Sequence, residues 1–176
     1  MLEIIGIPEE EKEDFVVVGP DLGRESQSAR VAQELGAEIV SLNKKRINDA
    51  TTVFEFLTKE QIKALSGKRV IIFDDLIASG GTLENIWDLI GTYVESITVV
   101  ASHALFIKGA VEKLSQPGFA GIAFLDTRRL LGRIPSGDKF RLLSCVPLMN
   151  RFLRADMRGG FNPWQDDYFK NTVSAV

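Results

Sequence analysis

Cysteine and histidine are nearly absent from this chain of 176 residues, where Cys145 and His103 each stand alone. A lone thiol in the apolar stretch LLSCVPL can close no internal disulfide and has no partner at zinc-ligand spacing, so a buried structural thiol is expected. Long apolar runs are missing too. None approaches the roughly 18 residues that a spanning helix requires, and the N-terminal MLEIIGIPEEEKED turns acidic after its seventh residue, unlike a signal peptide. There is no basic excess, because 21 Lys and Arg stand against 24 Asp and Glu for a net charge of -3. The broad electrostatic footprint of a nucleic-acid binder is therefore excluded, and any anionic ligand must be held by a local site. With 15 glycines, 6 prolines and no internal repeat, collagen-like and low-complexity classes fall away as well. What is present, 45% hydrophobic and 26% charged residues, suits one soluble globular domain. A cytoplasmic protein with no nucleic-acid and no membrane partner is the expectation.

Short apolar runs alternate with amphipathic stretches. Phe15 to Val18 reads as a strand, Glu25 to Leu35 as a helix stopped by Gly36, and Glu38 to Leu42 as a second strand. Val70 to Phe73 reads as a buried parallel strand, Thr82 to Tyr93 as a helix with an i, i+3, i+4 apolar stripe, and Ser96 to Ala101 as the next strand. A short helix over Lys108 to Leu114, strands at Gly121 to Leu125 and Phe140 to Ser144, and a closing helix over Pro147 to Leu153 complete the pattern. This alternation predicts an α/β fold of three layers, a mainly parallel sheet with helices on both faces. The segment KKRINDATTVFEFLTKEQIKALSGK fits a long active-site loop or a hairpin with a short helix. One domain over residues 1–155 is expected, followed by a tail or lid over 156–176.

The most informative stretch is VIIFDDLIASGGTL, Val70 to Leu83. Ser79, Gly80 and Gly81 lack bulk, so backbone N–H groups can approach an anion while the following helix turns its positive end to the same place. Thr82 can cap that helix and donate its hydroxyl to a phosphate. Asp74 and Asp75 would repel a bare phosphate but suit sugar hydroxyls or a hydrated magnesium ion, Mg2+. A sugar phosphate satisfies both halves of the motif. No Gly-Lys-Ser/Thr and no G-x-G-x-x-G is present, so neither a P-loop nor a dinucleotide fingerprint accounts for the glycines.

This stretch resembles the phosphoribosyl pyrophosphate (PRPP) motif of type I phosphoribosyltransferases, a hydrophobic strand, two acids and a turn ending in Gly-Thr. DDLIASGGT is similar to the motif of adenine phosphoribosyltransferases and also to that of PRPP synthetases. Other segments point to the synthetases. VVVGPDLGRESQSARVAQELGA, with Pro20 and Asp21, resembles the opening of that family's second half, and SLNKKR resembles its Asp-Lys-x-Arg stretch. ASHALFIKGAVEKL resembles its His-Gly-x-Phe segment, and FRLLSCVPLMNRFL its closing strand and helix. The resemblance spans roughly Phe15 to Leu153, half of that family's protein, and does not include the N-terminal domain that supplies much of the ATP site. Asn43, Ala78 and Ala104 depart from the family pattern, and Ala78 removes a carboxylate from the phosphate loop.

The resemblance implies that ribose 5-phosphate or PRPP sits on Ala78 to Thr82 with its hydroxyls near Asp74 and Asp75. Its 1-hydroxyl would attack the β-phosphorus of ATP, with Mg2+ present and Lys44 and Arg46 as the catalytic cations. Asp21, Asp74 and Asp75 are the implied metal-facing acids. His103, just beyond its strand, and Arg128 and Arg129 after the next one are weaker candidates for metal or phosphate contacts. A homo-oligomer is also implied. Two other classes stay open: a free-standing transferase whose acceptor base stacks on Phe161, Trp164, Tyr168 or Phe169 of the tail, and a regulator that binds without turnover. Because most of the ATP site is missing from the resemblance, binding with little PRPP synthesis is expected.

Overall fold

Apolar β-branched runs form the central strands of this protein. A computed structural model describes residues 9–20, 25–46, 52–107, 109–128, 137–147, 149 and 150. Six strands form one parallel sheet: β1 (Phe15–Gly19), β2 (Glu38–Ser41), β5 (Arg69–Ile77), β6 (Ser96–Ala104), β7 (Phe119–Leu125) and β8 (Phe140–Leu143), in the order β2-β1-β5-β6-β7-β8. A separate antiparallel hairpin pairs β3 (Lys44–Arg46) with β4 (Thr52–Phe54). The helices are α1 (Glu25–Leu35), α2 (Lys59–Leu65), α3 (Gly81–Ile90) and α4 (Ala110–Leu114), and a 3-10 turn over Glu9–Asp14 precedes β1. Arg69 anchors that turn, its guanidinium 2.8 Å from Glu11 and stacked on the Phe15 ring at 4.2 Å.

The two-residue period of the strands sorts the core onto two faces. Val16, Val18, Val70 and Ile72 face Leu65 of α2, Leu83, Ile86 and Ile90 of α3 and Leu114 of α4. Val17 and Ile71 face Ala32 and Leu35 of α1 on the other side. The expected three-layer α/β architecture is thus present, with helices on both faces.

Topology sets where a ligand can lie. The chain leaves β1 through α1 toward β2, and leaves β5 through α3 toward β6 on the other side, so the connections diverge between β1 and β5. Open α/β sheets bind ligands beyond the carboxyl ends of the strands at such a point. Here the lengths of the strands deepen it. The β1–β5 pairing ends at Val18↔Ile72, whereas β5 and β6 stay paired to Ile77↔Ala104. A step is left in the sheet, and Asp74 and Asp75 stand on it.

Several boundaries differ from those read in the sequence. β5 runs to Ile77 and β6 to Ala104 because each supplies the other's ladder beyond the end of β1; two acids can occupy a strand there since β1 pairs with β5 only as far as Ile72. The basic segment after β2 forms the hairpin and then α2, whose start is a capping box between Thr58 and Gln61. α3 stops at Ile90, and α4 begins at Ala110. Residues 146, 147, 149 and 150 are helical, and the rest of the expected closing helix, like the 156–176 tail and the proposed 155/156 boundary, lies outside the described residues.

The sheet's far side is packed closely enough to give a test. Gly118, at the start of β7, lies under Trp87 of α3, and a Cβ built there would sit 2.0–2.4 Å from three indole carbons. Trp87 in turn meets Phe119 at 6.0 Å between centroids. Gly118→Ala must push the ring aside, and the expected outcome is a loss of roughly 1–3 kcal/mol in urea unfolding. An unchanged midpoint would show that the indole moves freely.

Candidate functional site

The site is built from the end of β5 outward. Asp74 is half-buried and Asp75 exposed, and the Asp75 N–H donates to Asp74 Oδ1 at 2.8 Å, which orients one carboxylate along the strand end. Ala78, Ser79 and Gly80 then reverse the chain into α3. The helix cap is Gly80, in the left-handed region at φ +73, and its carbonyl accepts the first helical bond from the Glu84 N–H at 2.9 Å. Thr82, expected as the cap, sits instead inside the first turn with its side chain exposed. A left-handed residue turns the chain more sharply than an extended Ser or Thr cap, and only glycine adopts it without strain.

The turn is held from behind. The Leu105 N–H donates to the Ile77 carbonyl at 2.8 Å, and the Ile107 N–H donates to the Ala78 carbonyl at 3.0 Å. Gly80 is buried against Ala110 at the start of α4, which a Cβ on it would approach at 3.6 Å. The first N–H groups of α3 have no acceptor within the helix, and they open beside the two acids and the Ser79 and Thr82 hydroxyls. Positive helix end and paired carboxylates together suit a ligand with both a phosphate and hydroxyls.

The other expected residues divide. Lys44 pairs in register with Phe54, and its ammonium lies over that ring at 5.2 Å; Phe54 packs on the cluster that holds Leu83 and Ile86. The hairpin therefore leans on the core beneath the cradle, just past Leu42, whose N–H bonds the Gly19 carbonyl at the end of β1. Arg46 lies opposite Thr52. Asp21 and Arg129 lie outside the described residues, and Arg128 is exposed beyond β7. Ala78 places a methyl where the resemblance has a carboxylate. Asp74, Asp75, the 78–82 turn and the Lys44 hairpin all lie at the carboxyl end of the sheet.

The partners of other polar groups on this edge are not evident in the sequence. His103 belongs to β6, not to the loop after it, and its Nδ1 meets Thr127 Oγ1 at 2.6 Å. Asp126 accepts the Cys145 N–H at 2.6 Å and the Ser144 hydroxyl at 2.8 Å. Hydrogen bonds from Cys145, thiol and backbone, and then from Ser144 hold the Asp126 carboxyl below its ordinary 3.8. The bond to Asp126, followed by burial, pushes the Cys145 thiol up. Cys145 is half-buried, not fully buried as expected, because it starts the helical turn that Asp126 caps. The one signal for these groups in the sequence is an Asp-Thr pair directly after an apolar strand.

Among the described residues, no group of three or more His, Cys, Asp and Glu side chains is arranged to hold a metal. The Asp74–Asp75 pair suits Mg2+ that keeps water and ligand oxygens in its shell, not a protein cage.

Comparison with known proteins gives the family of the domain. Residues 4–117 match the phosphoribosyl transferase domain. The ribose-phosphate pyrophosphokinase of Pyrococcus abyssi is 36% identical over 104 residues, covering 57% of this chain and 34% of the relative. That of Clostridium acetobutylicum is 27% identical over 145 residues, covering 81% and 43%. The crystal structure of phosphoribosylpyrophosphate synthetase from Mycobacterium smegmatis superposes with a TM-score of 0.72 at 25% identity, over 90% of this chain and 49% of that one. The chain thus spans less than half the length of these relatives.

Two outcomes test the cradle and its rim. Gly80→Ala meets only ordinary contact at Ala110 but must adopt φ +73, so it should cost about 1–2 kcal/mol in urea unfolding. Gly81→Ala, at a helical position where the new Cβ meets only the Ser79 hydroxyl at an ordinary 3.6 Å, should cost nothing measurable. Equal effects would contradict the left-handed turn. For Asp126 the depressed folded value means that its contribution is complete above the ordinary 3.8 and lost as pH falls through the folded value. Asp126→Asn should unfold at lower urea than the parent at neutral pH, with the gap closing in acid; a gap independent of pH would refute the charge-based account.

Proposed function

Because the chain belongs to the phosphoribosyl transferase domain family, we propose that its crevice binds ribose 5-phosphate or PRPP as the sugar-phosphate half of a PRPP synthetase-like enzyme. The observation that carries this is the left-handed Gly80 turn opening α3 beside Asp74 and Asp75 at the sheet's switch point. In this reading the 5-phosphate rests on the N–H groups and hydroxyls of Ser79 to Thr82, and the ribose hydroxyls donate to the two carboxylates. The sugar separates like charges that would otherwise meet.

The reaction proposed is pyrophosphoryl transfer. The 1-hydroxyl oxygen bonds to the β-phosphorus of ATP, the bridge to the α-phosphate breaks, AMP leaves and the hydroxyl proton is lost. Mg2+, when bound, would supply charge neutralisation between phosphate oxygens and the Asp74–Asp75 pair. Lys44 and Arg46 are assigned to the charge that develops on the moving group. For Lys44 this means leaving its place over the Phe54 ring.

Holding the triphosphate in line with the hydroxyl is the demanding part, since positioning is worth roughly 7–11 kcal/mol of the barrier. These 176 residues span 49% of the Mycobacterium smegmatis synthetase chain, and Ala78 withholds one carboxylate from the sugar. We therefore assign sugar-phosphate binding to this chain and low synthesis to these residues on their own. Homo-oligomerisation is part of the proposal and is read by light scattering. No helix among the described residues is long and apolar enough to cross a membrane.

Calorimetry with ribose 5-phosphate and MgCl2 should show binding. Asp75→Asn should weaken it about tenfold, the scale of one hydrogen bond to a charged group, while Lys44→Ala and Arg46→Ala should change it less than about twofold. PRPP formation from ATP should be near background. Robust synthesis would show that no further half is needed, and pyrophosphate release from PRPP with a panel of bases would transfer the function to a phosphoribosyltransferase. Absence of ribose 5-phosphate binding would overturn the reading.

A further inference from the structure

His103 is the only imidazole in the chain, and its hydrogen bonds decide which nitrogen carries the proton. The Thr127 hydroxyl has one proton, which it donates to the Ser102 carbonyl at 3.0 Å. With that proton on the carbonyl, the same oxygen offers His103 Nδ1, 2.6 Å away, a lone pair, and this network assigns the donor role to Nδ1. The uncharged ring therefore carries its proton on Nδ1 and its acceptor lone pair on Nε2. His103 is exposed and lies in register with Leu76 on β5, as Ala101 does with Asp74. It belongs to the strand beside the two acids, on the step where β5 and β6 outrun β1.

The chemistry of Nε2 narrows what it can meet. A lone pair is repelled by phosphate oxygens, which are acceptors themselves. Mg2+ prefers oxygen ligands, and no cluster of three His, Cys, Asp and Glu side chains stands ready for a metal among the described residues. A neutral O–H donor is complementary.

We propose that His103 Nε2 accepts a hydrogen bond from a hydroxyl of the pentose phosphate seated on the α3 cradle, with Thr127 as the positioning residue that locks the tautomer. The proposal rests on the sugar-phosphate reading above. An uncharged acceptor beside Asp74 and Asp75 selects for a polyol without adding negative charge next to the phosphate. It makes the crevice discriminate ribose 5-phosphate from inorganic phosphate more strongly than the two acids do alone.

Long-range 1H–15N NMR of the single histidine, in mildly alkaline buffer, reads the tautomer directly. The free protein should show protonated Nδ1, and ribose 5-phosphate with MgCl2 should move the Nε2 resonance upfield, while inorganic phosphate or MgCl2 alone leaves it in place. His103→Asn keeps an N–H for Thr127 but lacks Nε2; it should lower ribose 5-phosphate affinity about threefold to tenfold, the worth of a neutral hydrogen bond, and leave inorganic phosphate affinity unchanged. Thr127→Val should mix the tautomers and weaken ribose 5-phosphate alone. A protonated Nε2 in the free protein, or a shift produced by MgCl2 alone, would overturn the proposal. Calorimetric binding of ribose 5-phosphate that leaves Nε2 unmoved would overturn it while the cradle stands, and absence of binding would remove both.

Discussion

The carbonyls of Ile77 and Ala78 are gripped by the amides of Leu105 and Ile107, and what the crevice can do depends on that grip. It carries the β5–β6 pairing past the last ladder residues and into the loops, so the turn that opens α3 is clamped to its neighbour. Phe106 lies between the two amides at φ +46, a conformation that costs a bulky residue of order 1–3 kcal/mol. Its ring meets Phe124 edge-on at 4.9 Å and Phe140 at 5.8 Å, and burying such a side chain returns roughly 1.5–3 kcal/mol. The strain and the burial are of one size, so the core can hold the loop in place at little net cost. Amides that bind an anion are more effective when they need not be reorganised.

That rigidity lets the two acids stand beside the proposed anion site. Asp74 and Asp75 are held on a strand, not on a loop that could fold onto the helix N-terminus and neutralise it. The step beside them exists because β1 pairs with β5 only as far as Ile72. On the far side of that step the Lys44 hairpin rests its aromatic residue on the core beneath α3. Fixed acceptors, a glycine turn at a helix start and a cation on a two-stranded arm, arranged around one gap in the sheet, are what the proposed pyrophosphoryl transfer would draw on.

Legibility in the sequence followed period and punctuation. FVVVG and RVIIF show their buried strands because both faces of a parallel sheet are covered, which removes polar alternation, and SGG marks a sharp turn by its lack of side chains. The extent of β5 was hidden, since acids normally signal a strand's end and only the missing length of β1 permits them inside one. The same effect put His103 within β6. The sequence points to Thr82 as the cap, not Gly80, because a hydroxyl at a helix start is the commoner device, and a left-handed glycine reveals itself only through backbone angles. Long-range partners such as Thr127 with His103 or Asp126 with Ser144 leave no local pattern, being set by which strand ends the fold brings together.

The most direct test of the account is a map of backbone amide shifts on addition of ribose 5-phosphate with MgCl2. If α3 opens on an anion cradle, the largest changes will fall on the amides of Ser79 to Leu83, with Asp74 and Asp75 next, and inorganic phosphate will reproduce the first group without the second. Changes centred on another helix start, with Ser79 to Leu83 unmoved, would contradict it.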